Sequence, residues 1–199
     1  MGNFNEKSRT AYNKKADDYD NTHDGRFTQE FKRLLVSEIT LKTNADVLDV
    51  ACGNGSLLAA LNRKTSINGF GIDISDRMVE NAIKSNPGMT FQMAGCEAIP
   101  FGDVSMDVMT VCAAYHHFPD VTAFAKEARR ILRAGGTLYI ADVHLPAFLR
   151  VIVNPFVPIS RAGDVRFYSP KEIMKTFKAV GFEVISTKIH RHIQIVSMR

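Results

Sequence analysis

One stretch constrains this chain more than any other: Val47-Leu48-Asp49-Val50-Ala51-Cys52-Gly53-Asn54-Gly55-Ser56-Leu57-Leu58. Val47, Leu48 and Val50 suit a strand covered on both faces, and Asp49 places a carboxylate near its carboxyl end. Gly53 and Gly55 let the backbone turn tightly and approach a ligand. From Ser56 onward a run of good helix formers follows, whose free N–H groups face the same crevice. In an open α/β sheet, ligands settle outside the carboxyl ends of the strands, so this turn predicts the site.

The pattern after Asp46 predicts strands over 47–51, 69–73, 90–93, 107–112 and 137–141, alternating with helices over 56–62, 76–85 and 122–132. Such alternation predicts parallel strands with helices on both faces. Ser75 caps the helix from Asp76, Asn86-Pro87-Gly88 stops it, and Gly135-Gly136 is expected to end the helix carrying Arg129 to Arg133. The sequence divides into cap helices (1–44), a core (45–143), a lid-like insertion rich in proline (144–168), and a helix with a terminal hairpin (169–199). With 199 residues, 45% of them hydrophobic, one domain with one sizeable core is expected. The net charge of +4 is scattered rather than gathered on a basic stripe, which points away from nucleic acid. No apolar run reaches membrane-spanning length and no signal-peptide core is visible, so a cytoplasmic protein is expected. Oligomeric state is not legible.

Gly71-Ile72-Asp73-Ile74-Ser75 ends the second strand in a carboxylate, where both hydroxyls of a ribose can be held. A dinucleotide fingerprint requires a third glycine where this chain has Leu58, which weakens the nicotinamide reading. The linked motifs resemble those of the class I S-adenosylmethionine-dependent methyltransferases, in particular the small-molecule branch. Asp49, Gly53 and Gly55 match the family's first motif, with Ala51 replacing its first glycine. Ala94-Gly95-Cys96-Glu97-Ala98-Ile99-Pro100-Phe101 resembles the adenine loop, with Gly95 where an Asp usually stands. Met106 to Asp120, with His116-His117, and Glu127 to Gly136 resemble the fourth strand with its loop and the helix before the fifth strand. The resemblance implies a doubly wound, Rossmann-like, seven-stranded and mostly parallel sheet whose last strand is antiparallel. It implies S-adenosylmethionine as cofactor, with its methionine part at Asp49, Ala51 and Gly53 and its ribose at Asp73. The adenine is then expected near Ile74 and Met78 and along the loop of Gly95, Cys96 and Glu97, while Tyr12 and Tyr19 close over the cofactor.

The implied reaction is methyl transfer to a small-molecule acceptor by in-line displacement, with His116 or His117 as general base if the acceptor must lose a proton. The alternative is a nonenzymatic S-adenosylmethionine-binding or regulatory protein with a degenerate acceptor site, which Ala51 and Gly95 would reflect. No metal is expected: His116, His117 and His144 share a sheet edge, but no carboxylate partner is evident. Arg150, Arg161 and Arg166 are candidates to hold an anionic acceptor. Cys52, Cys96 and Cys112 each follow a strand end, so all three are expected to converge near the cofactor.

Overall fold

The computed structural model describes residues 4–160 and 162–199; Arg161, one of the candidate acceptor-binding arginines, lies outside them. The seven strands are β1 (Ala45–Val50), β2 (Ile67–Asp73), β3 (Thr90–Met93), β4 (Met106–Cys112), β5 (Leu132–Val143), β6 (Val184–His190) and β7 (Ile193–Met198). They form one sheet in the order β3-β2-β1-β4-β5-β7-β6. The pairs from β3 to β5 are parallel, whereas β7 runs antiparallel to both β5 and β6. This is a Rossmann-like sheet of the expected class.

Side chains alternate along β1 and reach two separate apolar layers. Leu48 and Val50 enter a core with Met109, Val111, Phe124 and Phe177, while Val47 enters a second core with Phe31, Leu35, Leu58 and Leu61. Burial on both faces explains why the strand reads as a nearly continuous apolar run. At its centre the sheet changes direction: β1 pairs with β2 on one side and β4 on the other. The crevice at that switch point opens beyond Val50 and Cys112.

Helices α1 (Phe4–Lys15) and α2 (His23–Glu38) precede the sheet, joined by a 3₁₀ turn (Ala16–Asn21). Helix α2 begins with the Thr22 side chain accepting from the Gly25 N–H and lays Phe31 and Leu35 on one core. α3 (Ser56–Lys64), α4 (Asp76–Ser85) and α5 (Val121–Ile131) form the crossovers. Ser75 caps α4 by accepting from the Met78 N–H at 3.1 Å.

The Gly135-Gly136 pair does not end a helix. Helix α5 stops at Ile131 because Leu132, whose N–H makes the last helical bond to Ala128 O, turns to extended backbone at φ −72° and ψ 136°, and the chain passes directly into β5. The two glycines instead absorb a bulge, where pairing jumps from Met106↔Leu132 to Val108↔Thr137. Gly135 takes φ +78°, and a Cβ on Gly136 would stand 3.0 Å from Asp107 O.

Segment 144–168 holds the short α6 (Ala147–Val153) and a 3₁₀ turn (Val157–Ile159). It is tied down by Asn154, whose side chain accepts from the Phe167 N–H and donates to Phe167 O, both at 3.0 Å. The Val165 N–H also donates to His116 O at 2.8 Å, bringing this segment onto the loop after β4. Finally α7 (Pro170–Lys178) starts with a capping box between Ser169 and Glu172.

Candidate functional site

The turn after β1 alternates left-handed residues: Ala51 at φ +59°, Gly53 at +52° and Gly55 at +77°. Ala51 occupies a conformation that favours glycine, so the missing first glycine leaves the turn intact at a cost in strain. At Gly55 a Cβ would meet the Phe91 ring at 2.9 Å, which makes that glycine a packing requirement. A Cβ on Gly53 would meet nothing within 4 Å, so its backbone borders open space.

Across that space stands Asp73. Its Oδ2 accepts from the Gly53 N–H and its Oδ1 from the Ser75 N–H, each at 2.8 Å. Burial raises its pKa against the opposing pull of these N–H groups. The carboxylate is thereby held in one orientation with lone pairs to spare. Asp49 is more deeply set, accepting from the Thr110 hydroxyl at 2.6 Å. Burial pushes its pKa up to about 7, opposed by the Thr110 bond and by Lys32.

A cavity of about 740 Å³, open mouth included, occupies the crevice. Its walls include Ala51, Gly53, Asp73, Ile74 and Met78 from the first half of the sheet, Cys96 and Cys112 beyond them, and Tyr12 and Tyr19 overhead. His117 closes one part of the rim. Asp49, Cys52, Gly55, Gly95, Glu97 and His116 are not among the wall residues. Cys52 is therefore not on the cavity wall with Cys96 and Cys112: its sulfur lies where a Cβ on Gly71 would meet it at 2.8 Å, beside Phe91. Burial pushes all three thiols up, so they are poor nucleophiles.

The loop after Ala94 owes its shape to residues outside it. Glu127 Oε2 accepts from the Ile99 N–H at 2.7 Å, while Arg130 donates to Ile99 O and Phe101 O, both at 2.9 Å. Arg130 also bonds Asp103 at 2.7 Å. Glu127 and Arg130 were legible only as part of a helix motif, because nothing in their spacing indicates a loop that lies before them in the chain.

After β4, Ala113 takes φ +53° and the chain enters a 3₁₀ turn over Tyr115–His117. Tyr115 is fully buried among Phe118, Phe124, Tyr168 and Phe177, and thus serves the core. His116 Nδ1 lies 2.6 Å from Asp142 Oδ1, and both groups are buried. His117 Nε2 lies 3.0 Å from the Tyr12 hydroxyl, whose ring meets the imidazole edge-on. Asp164, from segment 144–168, places Oδ1 3.1 Å from His117 Nδ1 and 3.6 Å from His116 Nε2. The 3.1 Å approach lacks the direction of a hydrogen bond, leaving His117 Nδ1 buried without a hydrogen-bond partner.

Burial lowers the pKa of His116, but Asp142 and then Asp164 more than reverse this, and the net shift is upward. Burial and the neighbouring His116 pull His117 down, and Asp164 offsets only part of that. The pair thus has an asymmetry that two adjacent histidines cannot reveal in sequence. Asp142 and Asp164 were both missed there. Asp142 was readable as the acid ending β5, but Asp164 is brought in by the return of a long loop. His144 does not join the cluster and instead donates its backbone N–H to His192 O at 2.7 Å.

The cavity fits S-adenosylmethionine by its donor set: a fixed carboxylate for a diol, an open glycine turn beside it, and apolar Ile74 and Met78 for a flat base. A family profile described as a methyltransferase domain matches residues 48–140. The chain is 30% identical over 175 residues to a demethylmenaquinone methyltransferase of Thermotoga maritima, covering 76% of each protein. It belongs to the class I S-adenosylmethionine-dependent methyltransferases. A ubiquinone/menaquinone biosynthesis C-methyltransferase of Geotalea daltonii is 33% identical over 129 residues. That match takes in 61% of this methyltransferase and 55% of the relative, so the alignment spans little more than half the Geotalea protein. Among solved structures, a complex of the Haloferax volcanii Trm112 methyltransferase activator with a methyltransferase contains a chain of TM-score 0.82 and 20% identity. It covers 94% of this chain and 96% of that one, which speaks for the fold alone. Among the described residues, no helix is long and apolar enough to cross a membrane.

Proposed function

We propose that this methyltransferase transfers the methyl group of S-adenosylmethionine to a small aromatic acceptor bearing a hydroxyl, with His117 as general base. The observation that carries the reading is a single crevice whose wall contains both Asp73 and His117, so a cofactor held at the first would present its methyl group toward the second. The quinone methyltransferases among the relatives support the acceptor class.

When bound, S-adenosylmethionine would supply a sulfonium whose methyl carbon is open to in-line attack, with the neutral thioether of S-adenosylhomocysteine as leaving group. Asp73 would accept from the ribose hydroxyls, the turn from Ala51 to Gly53 would border the methionine part, and Ile74 and Met78 would flank the adenine. Tyr12 and Tyr19 exclude water from above. With Nε2–H of His117 donating to the Tyr12 oxygen, Nδ1 keeps a lone pair for the acceptor's proton. Asp164 then stabilises the imidazolium that forms.

Calorimetry with S-adenosylmethionine, S-adenosylhomocysteine and NAD tests the cavity, alongside Asp73→Ala. The first two ligands are expected to bind, NAD is not, and Asp73→Ala is expected to weaken binding by about tenfold or more, corresponding to about 1.4 kcal/mol. Binding of NAD alone would overturn the reading.

A further inference from the structure

Two imidazole nitrogens and one carboxylate oxygen converge beside the cavity, on His116, His117 and Asp164. His116 Nδ1 is engaged by Asp142 at 2.6 Å, so with the proton on that nitrogen the lone pair of Nε2 points away from Asp142. His117 Nε2 is engaged by Tyr12, so Nδ1 is the nitrogen left over, and it is buried without a hydrogen-bond partner. Asp164 Oδ1 approaches these two free nitrogens at 3.6 and 3.1 Å. All three atoms lie within 4.8 Å of one another. Such a cluster, held away from water, needs positive charge at its centre, which either a proton on one imidazole or a bound cation supplies.

We propose that His116 Nε2, His117 Nδ1 and Asp164 Oδ1 form a binding site for a divalent first-row transition cation, and that the cation's open positions take an acceptor oxygen. Two imidazoles and one carboxylate suit zinc, iron(II), cobalt or manganese better than calcium or magnesium, which prefer all-oxygen sites. The surroundings are those of a built metal site, because each histidine has its second nitrogen fixed by another group, Asp142 for His116 and Tyr12 for His117. Such partners select the tautomer and raise the basicity of the ligating nitrogen. Among the described residues three protein ligands converge, so positions remain for a molecule from the cavity, whose wall His117 forms. A hydroxyl bound there would ionise more readily, as water does on zinc. The metal-loaded protein would therefore activate the acceptor through the cation, and the metal-free protein through the His117 lone pair.

The inference rests on the reading of the cavity as a methyl-transfer site, and its test separates the two. The full chain, stripped with a chelator, is titrated with Zn²⁺ by calorimetry and with Co²⁺ by visible absorption, while S-adenosylhomocysteine binding is measured on the same samples. One cation per chain is expected, with ligand-field bands of cobalt in a nitrogen-oxygen site. Asp164→Asn and His117→Gln should each weaken uptake by about tenfold or more. Asp142→Asn should weaken it by about 10–100-fold and shift the cobalt bands, the behaviour of a positioning residue. His144→Gln should leave uptake unchanged. S-adenosylhomocysteine binding without cation uptake, or uptake that Asp164→Asn leaves intact, would overturn the metal site alone. Loss of S-adenosylhomocysteine binding in the native chain would instead overturn the cavity reading on which it depends.

Discussion

Asp49 and Asp73 stand at the ends of adjacent strands, yet their surroundings give them different tasks. Asp73 is oriented by two backbone N–H groups on the cavity wall, whereas Asp49 lies beneath the turn with the Thr110 hydroxyl as its partner. Burial is the main reason that Asp49 is pushed up to about 7. In the unfolded chain the same carboxyl titrates near 4. The folded chain therefore binds this proton more tightly, so the contribution to stability is complete below about pH 4 and is lost as pH rises through about 7. Asp49→Asn removes that titration. Relative to the native protein, the variant should gain about 2–3 kcal/mol between pH 5 and pH 8, at about 1.4 kcal/mol per unit crossed. Urea unfolding of the ligand-free proteins at the two pH values measures it, and parallel curves would show that Asp49 titrates normally.

Elements also act on the site from a distance. The last turn of α5 carries Arg130, which ties the backbone at Ile99 and Phe101 to Asp103 and Glu127. The loop so held contributes Ala94 and Cys96 to the cavity. Arg130→Ala is expected to leave the sheet intact but weaken S-adenosylhomocysteine binding by about 2–13-fold, the equivalent of one hydrogen bond at about 0.5–1.5 kcal/mol. Hydrogen exchange should accelerate in residues 95–104 and not in β1; unchanged exchange there would remove Arg130 from this role. The roof is likewise assembled from α1, where Asn13 reaches across to α4. Its Oδ1 accepts from the Ser75 hydroxyl at 2.5 Å and its side-chain amide donates to Asp76 at 2.8 Å. Tyr12, one residue earlier, is thereby set against His117.

For the whole molecule, ligand binding and folding are linked because the cavity is built from both halves of the sheet and from the amino-terminal helices. S-adenosylhomocysteine at a hundred times its Kd should add about 2.7 kcal/mol of stability. For a chain of this size that corresponds to a rise in Tm of about 5–10 °C, read by thermal scanning. No rise for the native protein, or the same rise for Asp73→Ala, would separate the cavity from the ligand. The sheet and its switch point were legible in the sequence because side-chain period and glycine turns are local properties: Leu48 and Val50 alternate with Val47, and Ser75 caps the helix beside it. The bulge at Gly135 was not legible, since a glycine pair marks a positive φ without saying whether a helix ends or a strand kinks. Among the site residues, Asp73 and the turn beside it follow from position along one strand-turn-helix unit. The polar cluster does not, since Tyr12, His117, Asp142 and Asp164 come from four separate parts of the chain and meet only when α1, the loop after β4, the end of β5 and segment 144–168 close on one another. Sequence alone determined where the glycine turn beside the cavity lies, because adjacent residues encode a turn. Only the tertiary structure decided which acids face the histidines, because burial, lone-pair direction and pKa depend on neighbours that the chain brings together from a distance.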